Sequence, residues 1–142
     1  MDKELRLFVK TLKSNGHFVT KQRLWLFKAL QNHTSLTINE LIKRLSSQDQ
    51  ATVYRNIKLF ENLGIISRLQ LGWNSKLELS DNFHHHHHHL TCVRCGKSTV
   101  LPENIELEKI ITGLSTSRGF TQRDHQLEIR GLCPDCQIAL NR

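Results

Sequence analysis

The sequence predicts an α+β fold in which an N-terminal winged helix-turn-helix is followed by a small α/β domain. Three observations support this prediction: apolar residues recur at helical spacing in the first half, six consecutive histidines occupy 84–89, and two Cys-x-x-Cys pairs lie in the second half. The predicted parts are a winged-helix domain at 1–80, a histidine-rich hinge and metal-ligand segment at 81–89, and a second domain at 90–142.

Two amphipathic helices are predicted first. One covers residues 3–14 and stops at Asn15-Gly16, and the other is capped by Thr20 and ends near Asn32-His33. Their inward faces consist of Leu5, Phe8, Val9 and Leu12 in the first helix and of Leu24, Phe27 and Leu30 in the second.

A third and a fourth helix follow. The segment 37–40, Thr-Ile-Asn-Glu, has the capping-box spacing and opens a helix with Leu41 and Leu45 inward. The fourth helix begins at 49–50 and ends before Gly64. It places Val53, Ile57 and Phe60 on the inner face and Ala51, Arg55, Lys58 and Asn62 on the outer face.

Short strands and one more helix account for the rest of the chain. Residues 65–71 and 76–79 are predicted to pair as a hairpin with a turn at 72–75, which completes the winged-helix pattern. The second domain is predicted to contain strands at 90–91, 97–101 and 126–132 and a helix from about Pro102 to Leu114.

The outer face of the fourth helix has the composition that DNA recognition requires. A small Ala51 allows close approach, Thr52 and Tyr54 can hydrogen-bond to phosphates, and Arg55 can bind a phosphate or a base edge. The alternative is an ordinary three-helix unit with a charged, solvated outer face. The predicted DNA-binding residues are Ala51, Thr52, Tyr54, Arg55, Lys58, Lys13 and Arg23.

Charge and hydropathy narrow the function classes. Residues 1–82 carry 13 Lys and Arg against 7 Asp and Glu, a net charge of +6, whereas residues 83–142 carry 7 against 6, a net charge of +1. The basic half therefore predicts contact with a polyanion, most simply nucleic acid. No apolar run is long enough for a signal peptide or a membrane helix, so we expect a cytoplasmic protein.

The two Cys-x-x-Cys pairs contain all four cysteines of the chain. They are separated by 37 residues and would meet if both lay at strand ends of one sheet. Four thiolates at tetrahedral corners are the donor set of closed structural zinc sites. In a reducing compartment such pairs favour metal over static disulfides, and a redox-active pair is the alternative. The predicted zinc ligands are Cys92, Cys95, Cys133 and Cys136.

The histidine run predicts further metal ligands. Successive side chains of a strand point to opposite faces, so His86 and His88 share one side and His87 and His89 the other. One strand could then serve two metal sites, and the alternative for His84 and His85 is a metal-scavenging surface tract without defined geometry. A site that draws ligands from both halves would couple their mutual angle to metal occupancy. Further candidate ligands are Glu78, His33 and Asp81 in the first half and Glu106, Glu108 and His125 in the second.

Taken in this order, the motifs resemble the ferric uptake regulator (Fur) family of bacterial metal-responsive repressors. The resemblance spans about Leu5 to Gln137. It is carried by Ala51-Thr52-Val53-Tyr54-Arg55, by Glu78-Leu79 and the histidines, by Leu90-Thr91-Cys92-Val93-Arg94-Cys95-Gly96-Lys97, by His125 and by Cys133-Pro134-Asp135-Cys136.

The resemblance implies a homodimeric transcriptional repressor that binds AT-rich inverted repeats of double-stranded DNA when a divalent metal corepressor is bound. The second domain is then the dimerisation domain with its structural zinc, and Tyr54 and Arg55 contact DNA. Sensory ligands without a spare cysteine favour iron slightly over zinc. The implied sensor site consists of Glu78, His87, His89 and His33, and the implied second site consists of His86, His88, Glu106 and His125.

Other function classes make different demands on the sequence. A zinc-containing thiol redox switch would lose its zinc on oxidation of the cysteines. A peroxide-sensing regulator would be oxidised at a metal-bound histidine. An enzyme with a small-molecule substrate is not expected, because the sequence has no His-Glu-x-x-His motif and no phosphate-binding glycine loop.

Overall fold

The computed structural model describes residues 2–142 and divides the chain into two compact units, the first ending at His84 and the second covering His85–Arg142. This boundary falls within the segment 81–89, and the last three histidines form part of a strand of the second unit. None of the helices in the described part of the chain is both long and apolar enough to cross a membrane. In chain order the elements are α1 (Lys3–Ser14), α2 (Lys21–Gln31), α3 (Ile38–Arg44), α4 (Gln50–Asn62), β1 (Ile66–Leu71), β2 (Asn74–Leu79), β3 (His87–Cys92), β4 (Ser98–Pro102), α5 (Ile105–Ser117), β5 (Glu128–Gly131) and α6 (Pro134–Leu140).

The helices of the first unit begin where the capping residues predict. The Thr20 hydroxyl accepts a hydrogen bond from the Arg23 backbone N–H at 3.3 Å, and the Asp49 carboxylate caps α4 in the same way. At α3 the capping box is complete: Glu40 N–H donates to the Thr37 hydroxyl at 3.2 Å, and Thr37 N–H donates to the Glu40 carboxylate at 2.7 Å. The four predicted helices are confirmed.

An aromatic cluster lies at the centre of the first unit. The ring of Phe8 stacks on Phe27 with centroids 4.3 Å apart and meets Phe60 edge-on at 5.4 Å. Phe83, just before the histidine run, packs edge-on against Phe27 at 5.7 Å. Most residues of the predicted inner faces are buried, and Leu5, Val9 and Leu24 are partly buried against the same core. Helix α2 also buries Leu26, which the periodicity did not identify.

The hairpin of the first unit is tighter than predicted. Strands β1 and β2 pair antiparallel as far as Leu71 and Asn74, so the loop consists of Gly72 and Trp73 alone. Gly72 takes a φ of +59°, a left-handed conformation that a two-residue hairpin loop requires and that glycine adopts without strain. The predicted four-residue turn was therefore too long, because the last two of its residues belong to β2.

The second unit is a three-stranded sheet with strand order β4-β3-β5, in which β3 runs antiparallel to β4 and parallel to β5. Helix α5 begins at Ile105 and not at Pro102, which ends β4. Its N-cap is Asn104, whose side chain accepts from the Leu107 backbone N–H at 3.1 Å. The sequence analysis also missed α6, which Cys133 opens as N-cap with Pro134 as the first helical residue.

The second unit buries few apolar side chains. Helix α5 has no buried residue, and Ile105, Ile110 and Leu114 along it are exposed. Apolar area on this unit is therefore left for another surface to cover. The buried side chains of this unit are those of Cys92, Cys136, His88, His89 and Thr91.

Candidate metal centres and nucleic-acid interface

The first cluster of ligand side chains consists of the four cysteines. Because β3 and β5 are parallel and Cys92 pairs with Gly131, both strands end at the same edge of the sheet. The 92–95 turn follows β3, and Cys133 follows β5 by two residues. This register brings together two thiol pairs that are far apart in sequence. The clustered ligands are Cys92, Cys95, Cys133 and Cys136.

Local backbone geometry aims both thiol pairs inward. Gly96 closes the first turn with a φ of +76°, and its N–H donates to the Cys92 carbonyl at 2.9 Å. Cys133 is the N-cap of α6 and Cys136 lies in its first turn, so the start of this helix places the second thiol pair. Arg94 ties the two segments together by donating to the Cys136 carbonyl at 3.2 Å.

The sulfur spacing fits a tetrahedral metal. Cys95 Sγ and Cys133 Sγ lie 3.8 Å apart, and the four sulfurs all lie within 4.8 Å of one another. Bonds of about 2.3 Å at tetrahedral angles place two sulfur ligands about 3.8 Å apart. The donor set and the spacing both match a closed four-thiolate site.

Two of the four thiols differ strongly in acidity. Hydrogen bonds from the backbone N–H groups of Cys133 and Cys95 stabilise the Cys92 thiolate and lower its pKa from 9.0 to about 6. The hydrogen bond with the Cys133 sulfur, reinforced by burial, raises the pKa of Cys136 to about 12. At neutral pH the Cys92 sulfur is therefore a thiolate ready to bind a metal, whereas the Cys136 sulfur carries a proton that a metal must displace.

The second cluster combines three imidazoles with one carboxylate. His86 and His88 lie on the same side of the extended segment that leads into β3, and their ring centroids are 4.7 Å apart. Glu108 comes from α5 and His125 from the segment before β5. The cluster is His86, His88, Glu108 and His125.

Distances within this cluster are those of ligands around a single ion. His88 Nε2 lies 2.6 Å from Glu108 Oε1, His125 Nε2 lies 3.1 Å from Glu108 Oε2, and the Nε2 atoms of His86 and His125 are 3.1 Å apart. Metal–ligand bonds of about 2.1 Å put neighbouring nitrogen or oxygen ligands roughly 3.0–3.4 Å apart. The donor set suits borderline divalent ions such as Fe²⁺ and Zn²⁺.

The surroundings hold this cluster in place. His88 is almost completely buried, and the Gln122 amide lies 3.0 Å from His125 Nδ1 while also accepting from the Ser115 hydroxyl at 3.1 Å. Outer contacts of this kind orient metal-binding imidazoles. Gln122 was not identified from the sequence, where nothing marks an amide three residues before a histidine.

Glu106, which the resemblance assigned to this cluster, does not belong to it. Two residues along a helix are separated by about 200°, so Glu106 and Glu108 cannot both face the sheet. Because α5 begins at Ile105, Glu108 points inward and is half-buried, whereas Glu106 is exposed. The correct member of the pair depends on the helix start, which the sequence analysis placed three residues too early.

The other two histidines of the strand form a second pair. The rings of His87 and His89 have centroids 4.9 Å apart on the opposite side of β3 from His88. His87 Nδ1 lies 3.0 Å from the His85 carbonyl, which places the proton on Nδ1 and the lone pair on Nε2. Within the first unit, Glu78 is buried on β2.

His33 and Asp81 stand apart from these groups. His33 lies partly exposed in the turn after α2, and Asp81 is exposed after β2. Neither is a member of a ligand cluster among residues 2–142. Sequence separation alone could not show this, because it does not report where a turn directs its side chains.

The predicted nucleic-acid surface lies on α4 of the first unit. Its outer residues Ala51, Tyr54, Arg55 and Lys58 are exposed, as the helical periodicity predicts. Arg55 donates to the Thr52 hydroxyl at 3.1 Å, which orients the guanidinium along the helix. The two other predicted contacts lie outside α4: Lys13 is exposed on the last turn of α1, and Arg23 is partly buried near the start of α2.

Arg23 of α2 hydrogen-bonds both to the segment before α2 and to α4. Its Nη1 donates to the Phe18 carbonyl at 2.6 Å, and its Nε donates to Asn56 Oδ1 on α4 at 3.3 Å. Asn56 is only 7% exposed and was missed because a polar residue on the inner face breaks the apolar pattern. Beside these bonds lies a cleft of about 390 Å³ lined by His17, Thr20, Gln22, Arg23, Thr52, Arg55, Asn56 and Leu59.

Comparisons with known proteins identify the family of this chain. Residues 14–130 match the family model described as the ferric uptake regulator family. The chain is 32% identical over 145 residues to the peroxide-responsive repressor PerR of Staphylococcus saprophyticus, with 96% of this chain and 94% of that protein covered.

Solved structures show the same fold. The ferric uptake regulator of Vibrio cholerae superposes with a TM-score of 0.72 and 29% identity, covering 89% of this chain and 99% of that chain. The ferric uptake regulator of Francisella tularensis, determined with iron, gives a TM-score of 0.70 and 29% identity, covering 86% and 96%. The chain is therefore a member of the ferric uptake regulator family, whose members are metal-responsive transcriptional regulators that bind DNA as dimers and are not enzymes.

Proposed function

We propose that this protein represses genes of metal homeostasis in the cytoplasm and uses a divalent metal as corepressor. The observation that carries the proposal is the cluster of three imidazoles and one carboxylate in the same chain as a basic winged helix. Half-buried nitrogen and oxygen ligands at metal-ligand spacing favour reversible binding of a divalent ion. The basic winged helix would bind DNA, and metal binding would control this DNA binding.

DNA binding is proposed to use the outer face of α4 in the major groove. Arg55 would contact a base edge or a phosphate, with Thr52 and Tyr54 on phosphates and Ala51 allowing close approach. Lys58, Lys13 and Arg23 would add phosphate contacts. A twofold-symmetric dimer presents two such helices, so the target is an inverted repeat, and the family resemblance makes it AT-rich.

The sensor is proposed to consist of Glu78, His87 and His89. It is supported by the paired rings of the two histidines, by the 3.0 Å contact of His87 Nδ1 with the His85 carbonyl, which orients the ring, and by the burial of Glu78. With residues 81–89 as the hinge between the domains 1–80 and 90–142, metal occupancy would determine how the DNA-binding surfaces are presented. His33 lies outside the ligand clusters, and the proposal does not use it.

The four cysteines are proposed to bind a structural Zn²⁺. The match of the 3.8 Å sulfur separation to tetrahedral zinc supports this assignment. The metal would join the ends of β3 and β5 to α6. The exposed apolar residues of this unit, including Ile110 and Leu114, are proposed to pack against a second copy of the chain.

The sensory metal is proposed to be Fe²⁺, with Zn²⁺ as the closest competitor. Peroxide sensing is the second candidate function, because a peroxide-responsive repressor is 32% identical to this chain and histidines dominate the ligands. It predicts that peroxide added to the Fe²⁺-loaded protein adds one oxygen atom to a ligand histidine, and that the Zn²⁺-loaded protein is unaffected. A mass spectrum without such an adduct would exclude it.

One titration tests the main proposal. A duplex is first selected from a random-sequence library by the metal-loaded protein, and its affinity is then measured as Fe²⁺, Mn²⁺ or Zn²⁺ is added to protein that keeps only its tightly bound metal. We expect a metal–DNA coupling of about 1–3 kcal/mol. An affinity independent of metal would overturn the proposal. Arg55→Ala should weaken binding without changing metal content.

The second cluster has a matched pair of variants. Glu108→Gln removes a ligand charge next to His88, whereas Glu106→Gln makes the same chemical change on the exposed side of α5. Glu108→Gln should reduce the affinity of this cluster for a divalent metal by about 10- to 100-fold, and Glu106→Gln should leave that affinity unchanged. Equal effects of the two substitutions would contradict the assignment.

A further inference from the structure

Phe18, in the segment between α1 and α2, is an unusual surface residue. Its side chain is 85% exposed, although removing a phenylalanine ring from water lowers the free energy. Isolated exposed apolar residues are common on proteins. Phe18 differs from most of them because hydrogen bonds through Arg23 connect its backbone to α4.

A single guanidinium holds Phe18 in position. Arg23 donates through Nη1 to the Phe18 carbonyl and through Nε to the buried Asn56 of α4. The donors of a guanidinium have a fixed planar geometry, so the two bonds set the position of the Phe18 backbone relative to α4. Thr20, which caps α2, limits the freedom of the segment from its other side.

The surroundings of Phe18 are suited to a polyanion. Its neighbour His17 lines the 390 Å³ cleft together with Arg23 and Arg55. Phe18 therefore adds an exposed apolar ring to a segment whose neighbouring residues line a cationic cleft. Duplex DNA has the complementary surface, because its phosphates attract cations while the sugars and base edges of its minor groove accept apolar side chains.

We infer that Phe18 is a DNA-contacting residue whose ring packs into the minor groove beside the stretch of major groove occupied by α4. This inference rests on the proposed binding of DNA by α4. The ring acts as an apolar wedge between base pairs and favours steps that unstack easily, which are the pyrimidine–purine steps TA and CA. Phe18 thereby contributes sequence preference without a hydrogen bond to a base.

The test compares DNA affinities across a range of salt concentrations. The probe is a duplex selected from a random library by the metal-loaded wild-type protein, and binding is followed by fluorescence anisotropy from about 50 to about 200 mM salt. Phe18→Ala should bind about tenfold more weakly, the size of one aromatic–nucleotide contact. The slope of log affinity against log salt should not change, because no phosphate contact is lost.

Trp25→Ala is the matched control. Trp25 is also an exposed aromatic residue of this unit, at 44%, but it lies about 200° around α2 from Arg23. Its substitution should change the affinity by less than about twofold. Library selection with the Phe18→Ala protein should also yield duplexes without the flanking TA or CA steps.

Failure of this inference can be distinguished from failure of the proposed function. Arg55→Ala should lower both the affinity and the salt slope, the slope by about one. If Arg55→Ala weakens binding while Phe18→Ala binds like wild type, only the role of Phe18 is overturned. If Arg55→Ala has no effect, binding through α4 is wrong. A change in the oligomeric mass of Phe18→Ala without DNA would show that the ring packs against a second copy, and would also overturn the inference.

Discussion

The two units of this chain differ in the side chains that form their interiors. The first unit surrounds a cluster of phenylalanines with the apolar faces of four helices and a hairpin. Among residues 85–142, by contrast, the buried side chains are two cysteines, two histidines and a threonine. The first unit can therefore derive its stability from apolar burial, whereas we expect the second to need bound metal and a second copy of the chain for its stability.

From this difference we expect the first unit to bind DNA and the second unit to make that binding depend on metal. A unit with its own apolar core can present a recognition surface whether or not metal is present. A unit with ligand side chains in its interior changes its stability with metal occupancy, which is a property that a sensor requires. The following predictions test whether stability is divided between the units in this way.

The largest expected effect is loss of the metal bound by the four cysteines. Cys133→Ser removes one sulfur ligand and should unfold the second unit, because its few buried groups cannot replace the metal–sulfur bonds. Amide hydrogen exchange should become fast in β3 and β5 and stay slow in α2 and α4. Unchanged protection of β3 and β5 in the metal-free variant would contradict the comparison.

Truncation of the aromatic cluster should damage the first unit. Phe27→Ala removes a fully buried ring that contacts Phe8 and Phe83, and should lower the free energy of unfolding by about 3–5 kcal/mol. Denaturant unfolding of the first unit measures this change. Phe120→Ala, at a ring that is 72% exposed in the second unit, is the control and should leave the unfolding of the first unit unchanged.

A smaller effect is expected at the exposed apolar residues of α5, which are the proposed dimer interface. Leu114→Ala should raise the dissociation constant of the dimer about 30-fold, because about 2 kcal/mol of apolar burial is lost on association. Thr116 lies two residues along α5 on another face and hydrogen-bonds to the Thr112 carbonyl. Sedimentation of Leu114→Ala and Thr116→Ala should therefore differ, and equal dissociation constants would show that this face is not the interface.

The smallest effect concerns the cap of α3. Hydrogen bonds from the Thr37 backbone N–H and hydroxyl lower the pKa of Glu40 below its ordinary value of 4.5. A lowered pKa in the folded state means that the carboxylate stabilises the fold above pH 4.5 and loses this contribution as pH falls through the lowered value. Glu40→Ala should cost about 1 kcal/mol at pH 7. The difference between variant and wild type should shrink with acidification, and a difference independent of pH would rule out the carboxylate as its source.

Local patterns predicted the first unit well. Helix starts at Thr20, Thr37 and Asp49 follow from side chains that cap the nearest backbone N–H groups. The apolar spacing on α4 identified its buried and exposed faces. Such features depend on residues a few positions apart, so the sequence contains the information needed to derive them.

The sequence by itself determined the donor types, the alternation of the histidines and the two Cys-x-x-Cys pairs. Only the tertiary structure decided that Glu108 and not Glu106 faces His88, and that Gln122 supports His125. It also decided the parallel register of β3 and β5 that brings the thiol pairs together. The physical reason is that spacing along the chain specifies which side chains share a face of one element, whereas contacts between elements depend on where each element begins and with which neighbour it pairs.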